Sequence, residues 1–323
     1  MMIYRIFYLL IFCLVGSSLL QAERYVFTKP KLGTVVSILI DVEKGDYKPV
    51  ASAVFDRIDK LNLVFSDYHK NSELMQLCSK AYGDQIKVSE ELFEVLSQSK
   101  VLYYFSAGAF DPTVGAWTKQ WRAYRDGVGE KPNKETPGYD LVRLDESLKT
   151  VEFLEKGIEL DLGGIAKGYI VDEVSEILKA NGIDRFLVGI GGELIAGAAP
   201  VYEARGWKIG VEDPEKKTNG YLYLKQQALS TSGASYQFVN DSDGVMGHIV
   251  HPESRSGIDN SYNVSVVAGS SMLADGLATT LRLVGREAAE GLFDVREFSC
   301  LFVGKDFQEI TKIGNFPSVI IKN

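Results

Sequence analysis

The sequence predicts an α+β fold of mixed, mostly antiparallel sheets with packed helices. Three observations carry that reading. Short apolar or alternating runs dominate the second half of the chain, from FLVGIG at 186–191 onward, and glycine-bearing turns separate them. Helical spacing of apolar residues is confined to a few stretches, so strand and helix do not alternate as a regular βαβ series. Composition supplies a core: 46% hydrophobic and 24% charged residues is an ordinary globular balance for 323 residues, enough for one large domain or two ordinary ones.

The first 22 residues stand apart. MMIYRIFYLLIFCLVGSSLLQA carries Arg5 as its only charge, then an apolar run, then small residues ending at Ala22. That order is a signal-peptide pattern. It predicts export to the periplasm, with residues 23–323 as the mature domain. The alternative is a retained anchor, which would associate the domain with the inner membrane; the run from Ile6 to Leu20 is shorter than the ~20 apolar residues that span comfortably. Cys13 lies inside that run behind Phe12, which argues against lipid attachment. Cys78 and Cys300 have no framework spacing and are expected as free buried thiols, with a disulfide between them as the alternative in an oxidising compartment.

RYVFTKPKLGTVVSILIDV predicts strand, turn, strand, with Gly33 at the turn. Val50, Val54, Ile58 and Leu61 predict a helix over 48–64. FSDYHKNSELMQL reads as a loop into a short helix. Ser89, with Glu90 and Glu91 behind it, caps a helix over 90–106. SAGAFDPTVGAW reads as a loop, 123–140 as a polar surface excursion, and 141–144, 149–154 and 158–161 as strands. Ile170, Val171, Val174, Ile177 and Leu178 form one helical stripe that stops at Asn181-Gly182. Strands follow: FLVGIG, ELIAGA, WKIGVE, YLYLKQQALSTS, SYQFV, HIVHP and NVSVVAG. Leu273, Leu277, Leu281 and Val284 predict a helix over 272–284 that Gly285 ends. A short helix over 286–293 and strands over 298–304 and 316–322 complete the chain.

Charge narrows the function. A net charge of -8 and a pI near 5.1 exclude an electrostatic nucleic-acid binder. Three histidines are few for a zinc enzyme. DLGGIAKGY at 161–169 places Asp161, two glycines and Lys167 at a helix start, where backbone N–H groups can hold an anion. A plain strand-to-helix turn with an exposed lysine accounts for it as well. VGIGGELIAG lacks the third glycine of a dinucleotide fingerprint, because Leu194 stands there; it reads as a β-hairpin. LADGLATTLRLVG places Asp275 and Thr279 four apart on one helix face, oxygen ligands that suit Mg2+, or else a first-turn aspartate and a packed threonine. His248 and His251 fall three apart in HIVHP, on opposite faces of a strand, which argues against a shared metal.

Taken in order, these segments resemble the ApbE family, the FAD:protein FMN transferases. LGT at 32–34, SDYHKNSELMQL at 66–77, GAFDPTVGAW at 108–117, DLGGIAKGY at 161–169, GGELIAG, WKIGVEDP, STSG, HIVHP and ADGLATT carry the resemblance across most of residues 23–323. Ala116 replaces a usual proline, and His251 a usual aspartate. The resemblance implies a T-fold-like core with a flavin site between two lobes. It implies that Leu32, Tyr68, Ala109, Phe110, Asp111, Asp161, Lys167 and Ile249 contact FAD. It implies Mg2+ on the Gly164 carbonyl and the side chains of Asp275 and Thr279, with His248 as the candidate general base. The implied reaction moves FMN from FAD to a threonine hydroxyl of an acceptor protein, a membrane redox-complex subunit, and releases AMP. An FAD pyrophosphatase or a non-catalytic FAD-binding protein are the alternatives. DGLATT also resembles the acceptor motif of flavinylated proteins, but the leucine stripe behind it reads as a buried helix.

Overall fold

Leu32 and Gly33 turn the chain back on itself with φ of 55° and 70°. Two successive left-handed residues match the twist of the strands they join, so Glu23–Lys31 and Thr34–Val42 pair antiparallel along nine positions. This hairpin begins an eight-stranded sheet. Across it follow Phe186–Ile190, Glu193–Ala196, Gln227–Ser232, Tyr262–Ala268, Phe298–Gly304 and Ile310–Ile313, every neighbour antiparallel. The computed structural model describes residues 22–215, 217–233, 238–241, 244–254, 256–258, 261–291 and 298–321. The signal-peptide reading of 1–22 lies outside them except for Ala22, and so do the first three residues of SYQFV. Among the described residues no helix is long and apolar enough to cross a membrane.

Period two divides the side chains of the central strands between two buried faces. Val264, Val266, Cys300 and Phe302 face one side, into a core shared with the helices. Val267, Leu301 and Val303 face the other, against a three-stranded sheet of Trp207–Val211, Gly220–Leu224 and Ile320–Ile321. The sheet is therefore buried on both faces, with Ser230, Asn263, Ser265 and Ser299 among its buried residues. The helical layer comprises α1 (Lys48–Phe65), α2 (Glu73–Lys80), α3 (Glu90–Phe105), α4 (Gly115–Arg125), α5 (Ala166–Ala180) and α6 (Ser271–Gly291). Ser72 and Ser89 cap α2 and α3, accepting the Met75 and Leu92 N–H groups. Cys78 and Cys300 are free, and burial pushes both thiols up, to about 11 and about 12.

Several expected elements differ. α4 occupies the end of the expected loop 106–117 and the start of the surface excursion. Asp111 accepts the Thr113 N–H and hydroxyl at 2.8 and 2.7 Å, Pro112 opens a 3-10 turn, and that turn runs into the helix, which buries Trp117 and Trp121. Residues 158–161 are not a strand. Their backbone is used locally instead: Gly115 N–H donates to Glu159 and Asp161 N–H to Pro112. YLYLKQQALSTS divides at Gln226, φ 51°, into strands of two different sheets. HIVHP contains only a two-residue strand, Val250–His251. As expected, Gly285 is non-helical, with φ 83° and ψ 172°, and divides Ser271–Gly291 into two helices. At the C-terminus Ile310–Ile313 joins the main sheet, and among the described residues of 316–322 only Ile320–Ile321 is strand.

α5 and α6 cross at closest approach over Gly168, where an added Cβ would lie 2.3 Å from the Ser271 carbonyl oxygen. The two helices exchange carboxylates. Asp172 of α5 accepts the Ser271 and Met272 N–H groups at 2.7 and 2.8 Å, and Asp275 of α6 accepts the Gly168 N–H at 2.9 Å. Each satisfies first-turn donors that a helix cannot satisfy itself. Burial pushes Asp172 up to about 6, against the pull of those two N–H bonds. A raised folded pKa means the folded state holds the proton more tightly, so this contribution is complete below the ordinary pKa near 3.8 and is lost as pH rises through about 6. The stability of the wild type relative to Asp172→Asn is therefore expected to fall by up to about 3 kcal/mol between pH 4 and pH 7.5, measured by urea unfolding at each pH. A parallel pair of curves would contradict it.

Candidate active site

A cavity of about 1150 Å³ is lined by residues of the helical layer, the main sheet and the small sheet. All of the residues singled out from the sequence line it: Leu32, Tyr68, Ala109, Phe110, Asp111, Asp161, Gly164, Lys167, His248, Ile249, Asp275 and Thr279. His251 does not. Leu32 arrives on the first hairpin turn, Tyr68 on the loop after α1, and Ala109 to Asp111 on the approach to α4. Asp275 and Thr279 lie one turn apart on α6, facing the turn that precedes α5.

That turn is tightly tied. Asp161 Oδ1 accepts the Gly163 N–H at 2.8 Å, and Lys167 Nζ folds back to donate to the Gly163 carbonyl at 3.0 Å. Lys167 also stands 3.2 Å from Glu193 Oε1 and 3.8 Å from Asp275 Oδ2. Both carboxylates are almost wholly enclosed, with side chains 5% and 4% exposed. Burial opposes the Lys167 charge, but Asp275 and Glu193 together outweigh it and raise its pKa. Burial likewise raises Glu193 and Asp275, with the Lys167 charge pulling both back down.

Glu193 was not singled out from the sequence. It opens the strand after the Gly191-Gly192 turn, and its signal is being the only charge in VGIGGELIAG, in phase with buried Ile195. A second missed group is Arg122 on α4. Its guanidinium lies 4.3 Å over the Tyr68 ring, bonds Asp67 at 2.5 Å and stands 3.9 Å from Asp161. Tyr68 is 69% exposed, so the cation fixes one side of an aromatic ring that otherwise faces the cavity. Burial, then the neighbouring Asp161 charge, raises Asp67 against the pull of Arg122. His248 packs at 6.3 Å between ring centroids on Trp121.

The oxygen groups fit a hard divalent cation. An ideal Cβ on Gly164 would lie 3.2 Å from Thr279 Oγ1, so the Gly164 backbone and that hydroxyl are neighbours. Among the described residues no group of three or more His, Cys, Asp or Glu forms a metal cluster. A site of few carboxylates, a carbonyl and a hydroxyl suits Mg2+, which keeps waters and phosphate oxygens in its shell.

Known proteins resemble this chain over most of its length. The chain is 29% identical over 308 residues to an FAD:protein FMN transferase of Vibrio cholerae, covering 88% of each. It is 28% identical over 332 residues to one of Treponema pallidum, covering 92% of this chain and 89% of that one. The flavin transferase ApbE structure from Vibrio cholerae superposes with a TM-score of 0.77 at 25% identity, covering 92% of this chain and 97% of that one. The ApbE protein structure from Thermotoga maritima gives a TM-score of 0.78 at 24% identity, covering 93% and 97%. The family sequence model described as ApbE matches residues 32–302, and on that match the chain belongs to the ApbE family.

Proposed function

We propose that the chain is an FAD:protein FMN transferase, and that it transfers FMN from FAD to a threonine hydroxyl of an acceptor protein. The observation that carries this is the single cavity in which Asp275, Thr279 and the Gly164 backbone stand beside Lys167, with the Tyr68 ring across from them. The curated relatives carry the same activity in their names. Mg2+, when bound by the Gly164 carbonyl, Asp275 and Thr279, neutralises the pyrophosphate and polarises the bond that breaks.

The chain's own residues do the rest. Tyr68, steadied by Arg122, offers a stacking surface for an aromatic ring of the dinucleotide. Asp161 and Lys167 flank the phosphates, with the ammonium held by the Gly163 carbonyl. His248 accepts the proton of the acceptor threonine as its oxygen bonds to the FMN phosphorus. The pyrophosphate P–O bond breaks and AMP departs with the electron pair. Phosphoryl transfer of this kind needs mostly positioning and charge stabilisation. The leader pattern at 1–22 supports acceptors among membrane redox-complex subunits that face the periplasm.

The test is to incubate the purified chain with FAD, Mg2+ and a threonine-bearing acceptor. Flavin fluorescence should then survive denaturing electrophoresis on the acceptor and vanish when the acceptor threonine is changed to alanine. Release of FMN and AMP without a labelled acceptor would assign a hydrolase, and FAD retention without turnover a binding protein. His248→Asn is expected to slow labelling about 10²- to 10⁴-fold while FAD affinity changes little. An unaltered rate would remove His248 from the mechanism.

A further inference from the structure

Lys167 poses a problem for any cation at Asp275. Its ammonium stands 3.8 Å from Asp275 Oδ2, and its bond to the Gly163 carbonyl keeps it there. An ammonium that paired fully with Asp275 would occupy the carboxylate as its permanent counter-ion. What prevents this is Glu193, whose Oε1 lies closer to the ammonium, at 3.2 Å. Glu193 is fixed by its place at the start of a buried strand, opposite Ile190 and Ser230 in the neighbouring strands. Two enclosed carboxylates thus face one ammonium, and Glu193 is the nearer of them.

We propose that Glu193 is a positioning residue: it takes up the charge of Lys167 and holds the ammonium off Asp275, leaving the Asp275 carboxylate available to a divalent cation. The inference rests on the Mg2+ reading above. It makes Glu193 no ligand of the metal, and it gives Lys167 two tasks. Toward a phosphate the lysine is an attractive cation, and toward the metal it is a competitor that Glu193 restrains.

Mn2+ titrated into the full-length, metal-free chain and followed by the EPR signal of the free ion reads this directly, without turnover. Glu193→Gln keeps the side-chain shape and is expected to weaken Mn2+ binding about tenfold or more, since the ammonium is then left to Asp275 alone. Adding Lys167→Met to that variant removes the competitor and should restore affinity to within about threefold of wild type. Lys167→Met alone should bind Mn2+ at least as tightly as wild type. Thermal melts without metal establish that each variant is folded. Unchanged affinity in Glu193→Gln overturns the proposal, as does a double variant as weak as the single one, which would make Glu193 a ligand. Weaker binding by Lys167→Met overturns it independently of Glu193→Gln. A wild type that binds no Mn2+ fails both this inference and the metal assignment, whereas wild-type binding with no response to Glu193 fails this inference alone.

Discussion

Asp275→Ala is expected to abolish flavin transfer, a loss of at least about 10³-fold, equivalent to roughly 4 kcal/mol of transition-state stabilisation. Asp275 is the carboxylate of the proposed Mg2+ site, enclosed within α6 and facing the turn before α5. The same substitution leaves the buried Gly168 N–H without its acceptor, a cost of about 1 to 3 kcal/mol. Asp275→Asn separates the two effects. Its amide oxygen can still accept from Gly168, so stability should recover while activity does not. Acceptor labelling and thermal unfolding of both variants check this; wild-type labelling by either would refute the metal assignment.

Gly168→Ala is expected to be the most damaging single-methyl change in the helical layer. The added Cβ would lie 2.3 Å from the Ser271 carbonyl oxygen and 2.7 Å from the Met272 Cα, all backbone, so no side chain can swing away. The helices must separate, at a cost of about 3 kcal/mol, or a melting temperature lower by several degrees. Activity should fall as well, since separation carries Asp275 away from the turn before α5. Gly269→Ala is the control: nothing lies within 4 Å of its added Cβ, and its melting temperature should match wild type closely. Equal melts for the two variants would disprove the close-packing argument.

The fold was legible where one local signal decided the structure. The Leu32-Gly33 turn, the Ser89 cap and the stripe of α5 each announce their element within a few residues. The helix α4 was not legible. It starts on a glycine, carries mostly polar residues, and depends on Asp111 and Pro112 to start it and on Trp117 and Trp121 to bury it. Residues 158–161 failed for the converse reason: the alternating stretch Ile158 to Asp161 found its backbone partners in Pro112 and Gly115 instead of in a ladder. The candidate site residues line one cavity, and each lies in a motif that the sequence displays. Glu193 and Arg122 stayed hidden because their importance lies in neighbours more than twenty and more than fifty positions away, Lys167 and Tyr68 respectively.

The reciprocal gift of carboxylates between α5 and α6 has a consequence for assembly. Neither helix can finish its own beginning, so an intermediate with one of them in place should leave both openings frayed. In hydrogen exchange the amides of Gly168, Ser271 and Met272 should therefore open as one cooperative unit. The aspartate of the proposed metal site would thus come into being at the same moment as the junction that secures it.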